Sequence, residues 1–99
     1  MPVRPLRVRW LRTALANLEA HAQYIARDNP AAARRVVAAI ERAVAQVADY
    51  PALGRPGRVE GTRELVVHGR PYIVPYCVLG QTVQILRVFH AARKWPPTL

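Results

Sequence analysis

Ninety-nine residues, 52% of them hydrophobic and 21% charged, are enough for one small core and define a single domain over residues 1–99. Fifteen Lys and Arg against six Asp and Glu give a formal net charge of +9, which points to a negative partner: nucleic acid, an anionic surface or an acidic protein. No apolar run reaches the roughly 18 residues of a membrane span, MPVRPLRVRW has no signal-peptide core, and the single Cys77 excludes a disulfide framework, so a cytoplasmic chain without metal or other cofactor is expected.

Fourteen of the fifteen basic residues are arginine and sixteen residues are alanine, the mark of a GC-rich coding bias. The choice of Arg over Lys therefore says little, whereas the excess of positive charge still needs a partner.

Residues 3–9 alternate Val3, Leu6 and Val8 with Arg4, Arg7 and Arg9, interrupted by Pro5, which fits a short edge strand. From Leu11 to Ala26 the period becomes helical, with Leu11, Leu15, Leu18, Ala22 and Ile25 on one face and Thr13 as the expected N-cap. Asp28-Asn29-Pro30 ends that helix and starts another, Asn29 capping it and Pro30 filling its first position. Its stripe is Ala33, Val36, Val37, Ile40, Val44 and Val47, and Tyr50-Pro51 closes it. Two such helices joined by a short turn make an antiparallel hairpin.

Residues 51–61, PALGRPGRVEG, read as a loop. Three strand-like runs follow at 62–67, 71–79 and 82–89, separated by His68-Gly69-Arg70-Pro71 and by a turn at Gly80-Gln81. Pro75 inside the second run calls for a bulge or an unpaired edge there. The tail, 90–99, is HAARKWPPTL. The order β-α-α-β-β-β gives a small two-layer α+β domain, a helical hairpin on an antiparallel sheet.

No phosphate loop, zinc motif or nucleophile–base set is present. Gly54, Gly57 and Gly61 precede a strand instead of a helix, so they do not form a helix-terminus phosphate site. His21 reads as structural or solvated within its helix, and His68 as a solvated turn residue. His90, three residues before Arg93, is either an acid–base group for a phosphodiester or a polar strand terminus. Arg63 and Arg87 lie within apolar runs, Arg63 on the face of Leu65 and Val67, Arg87 on that of Ile85 and Phe89. They either recognise an anion on a concave sheet face or form structural ion pairs, for instance with Glu64 or Glu60.

Taken together, YIARDNPAAA (24–33), PALGRPGRVEGTRELVV (51–67), PYIVPYCV (71–78) and ILRVFHAARKWP (85–96), in this order of elements, resemble the RelE/ParE superfamily, the toxins of type II toxin–antitoxin modules. The resemblance spans about Val8 to Pro96. It implies a small cytoplasmic toxin silenced by a cognate acidic antitoxin, which would account for part of the charge. It also implies one of two activities. The RelE-like branch is a ribosome-dependent mRNA endonuclease; the ParE-like branch poisons DNA gyrase or a target not settled, with no recognised active site.

The nuclease branch carries lysines on the strand matching 62–67, where this chain has Glu64 and Val66. It carries arginine after the aromatic opening the next strand, where Tyr72 is followed by Ile73, and a further basic residue near Ala91. His90 does match a histidine of some nuclease members. Without a full set of base, acid and phosphate clamp, the residues favour the ParE-like branch. The RelE-like endonuclease, with ribosome and mRNA as partners, is the alternative, and a basic nucleic-acid-binding module the third reading.

On the nuclease alternative the catalytic candidates are His90, Arg87, Arg63 and Arg93. The residues expected to meet the target are Arg63, Arg87, His90, Arg93, Lys94 and Trp95, with Trp95 packed near the strand edge. Those expected to meet the antitoxin are Leu11, Arg12, Leu15, Leu18, Arg34 and Arg35, as an apolar patch bordered by cations.

Overall fold

In the computed structural model, which describes residues 5–92, the first strand feeds directly into a helix. β1 (Arg7–Trp10) is followed by α1 (Arg12–Ala26) and α2 (Pro30–Asp49). Then come β2 (Arg55–Pro56), β3 (Arg63–Val66), β4 (Tyr72–Leu79), β5 (Thr82–Ile85) and β6 (Phe89–His90). The strands form one sheet in the order β1-β5-β4-β3-β2, with β6 also paired to β4. β2 and β6, two residues each, add to the expected order.

The sheet is mixed. β1 pairs parallel to β5, from Arg7 opposite Thr82 to Trp10 opposite Ile85, and every other pairing is antiparallel. The expectation of a purely antiparallel sheet is corrected at this one edge. A parallel neighbour requires a long crossover, and the α1–α2 hairpin stands within that crossover.

The same pairing sets the start of α1. The Leu11 N–H donates to Ile85 O at 3.0 Å, continuing the strand by one residue. Leu11 is extended and occupies the N-cap without a side-chain hydrogen bond, so Thr13 lies inside the helix and does not cap it. At α2 the expected signature holds. Asn29 is extended, its side-chain oxygen accepts from the Ala32 N–H at 3.0 Å, and Pro30 occupies the first turn.

The buried stripe of α2 is Ala33, Val36, Ile40, Val44 and Val47, with Val37 half-buried beside it. Each large member contributes about 1.5–3 kcal/mol by leaving water. On α1 the expected face holds at Leu18, with Leu11, Ala22 and Ile25 half-buried, but it is turned away from Leu15 toward Ala14. Ala14 and Leu18 are in the core, and Asn17 and His21 are half-buried beside them. Leu15 is 50% exposed. The sheet side of the core comes from Leu65, Val74, Tyr76, Val83 and Ile85, which stand in register across β3, β4 and β5.

Gly80 turns β4 into β5 with φ +61°, a conformation that favours glycine. Pro75 does produce a bulge. Tyr76 faces Ile85 and Ile73 faces Phe89, so Leu86, Arg87 and Val88 oppose only Val74 and Pro75. The Pro75 carbonyl accepts from the Leu86 N–H at 3.0 Å, so this side of Pro75 faces β5, where the ring leaves no N–H to return. Ile85 and Val88 are consequently both in the core at a spacing of three, with Leu86 and Arg87 half-buried between them.

Candidate functional site

Two irregular segments flank the sheet: the 51–62 loop beside β3, and residues 86–92 around β6. Tyr76, fully buried, organises the first. Its hydroxyl donates to Pro51 O at 2.7 Å and accepts from the Gly54 N–H at 2.8 Å. Gly54 is required there, because a Cβ would lie 2.7 Å from the Tyr76 ring. Arg63, opposite Tyr76 in the register, donates from Nη1 to Gly54 O at 2.7 Å and to Ala52 O at 3.4 Å.

Glu64 is 4% exposed. One of its oxygens accepts from Arg55 Nε and Nη2 at 3.2 and 3.1 Å. The other accepts from the Arg58 backbone N–H at 2.9 Å, with Arg58 Nε at 4.0 Å. Arg63 is thus a loop-holding cation, and the structural partners of Glu64 are Arg55 and Arg58. Arg63 Nη1 is engaged by loop carbonyls, and both Glu64 oxygens are engaged by Arg55 and Arg58.

The second segment lacks ladder partners at the bulge, and α1 supplies them. The Val88 N–H donates to Asn17 Oδ1 at 3.1 Å. His21 Nε2 lies 3.0 Å from Val88 O. A carbonyl can only accept, so His21 donates through Nε2. The His21 ring packs edge-on against Tyr72, with centroids 5.2 Å apart, and Tyr72 packs edge-on against His90 at 5.4 Å. His90 Nδ1 accepts from the Ala92 N–H at 3.2 Å, which leaves the proton of a neutral ring on Nε2. In this arrangement His90 is a donor toward a ligand, and service as a base through Nδ1 would first break its bond to Ala92.

The structure gives Arg63 and Arg87 separate settings. Arg63 binds the loop, whereas Arg87 is half-buried in the bulge, which removes it from the alternation it was expected to share with Ile85. Arg93, Lys94 and Trp95 lie outside the described residues, as does the expected packing of Trp95.

Of the residues expected to face an antitoxin, Leu18 is buried, Leu11 is half-buried, and Arg12, Leu15, Arg34 and Arg35 are exposed. They do not form one patch. Arg34 lines a groove with Ala22, Gln23 and Ala26, at the turn end of the hairpin. At 1.5 Å per residue that level is roughly 15 Å along α1 from Arg12. A second groove, about 500 Å³, lies between α2 and β3 and includes Arg42, Gln46, Leu53, Arg55, Val66 and His68. β2 pairs only with Arg63 and Glu64, so β3 runs on past the end of its neighbour along this groove, where Leu53 and Val66 are about half exposed.

Sequence reasoning missed Asn17 and Tyr72; it read His21 as structural or solvated, and the structure gives it a structural bond to Val88. The available signal was the spacing of four between Asn17 and His21, which places two hydrogen-bonding side chains on one helix face. Among the described residues no group of His, Cys, Asp and Glu could hold a metal ion, and no helix is long and apolar enough to cross a membrane.

Residues 8–95 match the family model of the ParE toxin of the type II toxin–antitoxin system parDE. The chain belongs to the ParE toxin family. It is 50% identical over 93 residues to Y4kP of Sinorhizobium fredii, covering 94% of this chain and 96% of that one. It is 40% identical over 84 residues to Toxin RelE2 of Caulobacter vibrioides, covering 85% and 93%. Its fold is similar to a chain of the chromosomal ParDE system of P. aeruginosa, with TM-score 0.79, 30% identity, and coverage of 89% and 98%. It is also similar to a chain of the RelBE2 toxin–antitoxin complex of Mycobacterium tuberculosis, with TM-score 0.64, 29% identity, and coverage of 87% and 98%. This ParE-family chain is therefore a toxin of the type II class within the RelE/ParE superfamily, on the superfamily's fold.

Proposed function

We propose that this toxin inhibits growth in the ParE manner, by engaging a protein target such as DNA gyrase, and that a cognate acidic antitoxin neutralises it. The observation that carries the first part is the state of β3. Where an RNA-cleaving relative would need cations, this strand has Glu64, committed to Arg55 and to the Arg58 backbone, and exposed Val66. Its one arginine, Arg63, is spent on loop carbonyls. Phosphoryl chemistry needs positioned charge around the reacting phosphate, and among the described residues His90 has Nδ1 occupied and Arg63 has Nη1 on loop carbonyls.

The antitoxin reading rests on the groove beside β3. Half-exposed Leu53 and Val66, with Arg42 and Arg55 beside them, suit a segment that brings apolar and acidic side chains together. The ParDE and RelBE2 neighbours come from toxin–antitoxin systems, which supports the same reading.

Controlled expression in a bacterial host tests the target. Stalled replication with DNA-damage signalling is the expected response. Rapid loss of translation with cut ribosome-bound mRNA, abolished by His90→Ala, would replace this reading with the RelE-like one, for which the name of the RelE2 relative speaks. Co-expression with the neighbouring acidic protein is expected to give one complex that survives purification at micromolar concentration. Separate elution of the two would remove the antitoxin assignment.

A further inference from the structure

We infer that Asn17 and His21 are positioning residues of this toxin: from α1 they fix the course of the chain through Val88 to His90, and so the placement of the segment that meets the target. The inference rests on the proposed function in one respect, a protein target met through residues that include Arg87 and His90, as the sequence leads one to expect. Its structural half is independent.

The bulge creates the need for such positioning. Three residues of the β5–β6 run oppose two of β4, so the ladder cannot serve every backbone group there. Buried backbone groups require partners. Val88, 1% exposed, receives both of its partners from one helix: its N–H from Asn17 and its carbonyl from His21. Two side chains four apart on a helix sit one above the other, so together they form a clip for one residue's N–H and C=O. Such a clip fixes the direction of the chain at Val88 in a way a single contact does not.

A second line of contact runs through side chains. The His21 ring stands edge-on to Tyr72, with interplanar angle 70°, and Tyr72 stands edge-on to His90, at 78°. The helix, the central strand and β6 thus share one row of rings, and both ends of the row touch the same short segment. Asn17 and His21 lie on the inner flank of α1, while Arg12 and Leu15 are exposed at its start. A partner that displaces α1 along its axis therefore moves the clip with it. Nothing in this arrangement requires either residue to touch a target.

The test uses the full chain with and without its antitoxin and reads two quantities. The first is amide hydrogen exchange at Val88. The second is growth inhibition. Asn17→Leu keeps size and removes the acceptor, whereas Asn17→Asp keeps the acceptor; His21→Phe keeps the ring and removes the donor, whereas His21→Gln restores a donor. Asn17→Leu is expected to speed Val88 exchange at least tenfold relative to the core amides of β4, and Asn17→Asp to stay within threefold of wild type. Both Asn17→Leu and His21→Phe are expected to lose at least tenfold in toxicity while antitoxin affinity changes less than threefold, and Asn17→Asp and His21→Gln to retain toxicity.

Unchanged exchange in Asn17→Leu, or full toxicity in both disruptive variants, would overturn the inference. Equal loss in the disruptive and conservative variants would also overturn it, because it would make the effect a matter of packing. A wild-type chain without toxicity would remove the proposed function, and the exchange comparison would then decide the positioning role alone.

Discussion

The 51–62 loop and the 86–90 segment are both irregular chain beside the same sheet, but they are secured from opposite directions. The loop is held from the core outward. A fully buried phenol and a nearly buried carboxylate reach it from β4 and β3, and between them they bind Pro51, Gly54, Arg55 and Arg58. The 86–90 segment is held from the helix layer by two half-buried side chains that reach a single residue, Val88. Anchors in the core are costly to remove and tie the loop to global stability. Half-buried clips cost less to remove, so their loss is expected to act first on the segment itself, although Val88 packs in the core and β6 pairs with β4.

The largest test of that difference is Tyr76→Ala, which removes a fully buried aromatic together with both loop hydrogen bonds. A loss of about 3–5 kcal/mol by denaturant unfolding is expected. A smaller one, Tyr76→Phe, leaves Pro51 O and the Gly54 N–H without the hydroxyl and is expected to cost about 1–3 kcal/mol. If Tyr76→Ala unfolded with a midpoint near wild type, the loop would not be anchored by the core.

Gly54→Ala comes next. Its Cβ would meet Tyr76 Cε1 at 2.7 Å, the Tyr76 hydroxyl oxygen at 2.8 Å and Glu64 O at 3.0 Å, and the buried ring has no room to swing away. A destabilisation of about 1–3 kcal/mol is expected by thermal or denaturant melting. Asn17→Leu sharpens the contrast from the other side. Leaving the buried Val88 N–H without its acceptor should lower global stability by about 1–3 kcal/mol, less than Tyr76→Ala, while its local effect at Val88 is large. A global loss matching that of Tyr76→Ala would erase the distinction between the two regions.

The smallest effect concerns Cys77, opposite Gln84 in the register, with its sulfur 3.8 Å from Gln84 Oε1. Burial raises its thiol pKa above the ordinary value, so the folded chain keeps the proton to higher pH than the unfolded one. The sign follows. This contribution to stability is complete below the unfolded thiol's pKa and is lost as pH rises through the folded value. Iodoacetamide at pH near 8.5, roughly the free-thiol value, should label native chains more slowly than chains unfolded in urea. Equal rates would mean that the thiol is not sheltered.

The parts of the fold legible in the sequence are those fixed by local chemistry. Asn29-Pro30 marked the start of α2 because cap and fixed φ act within one turn, and the stripe from Ala33 to Val47 gave its buried face. Pro75 announced the bulge because a missing N–H must disrupt a ladder. What the sequence hid was non-local. Thr13 lost the cap to Leu11 because Ile85, more than seventy residues away, takes the Leu11 N–H. On α1 Leu15 was placed on the buried face and is exposed, because that face is shared with Asn17 and His21, whose partner Val88 lies far along the chain.

The candidate site was legible only in part for the same reason. Arg63 was recognised as unusual within an apolar strand, and Glu64 as a possible ion-pair partner. Their partners, however, are loop carbonyls and two arginines set by the fold of PALGRPGR, whose contacts follow from no periodic pattern.

The parallel edge has a consequence for how the toxin comes into being. β1 emerges long before β5, its strand partner among the described residues, which is complete only when residue 85 has been added. Contacts this distant along the chain form late and slowly. A nascent chain that has made both helices can bond Leu6 to Ala48 of α2 but still lacks the strand that pairs with β1. Translation arrested before Thr82 would therefore leave a fragment whose first strand has no ladder to join.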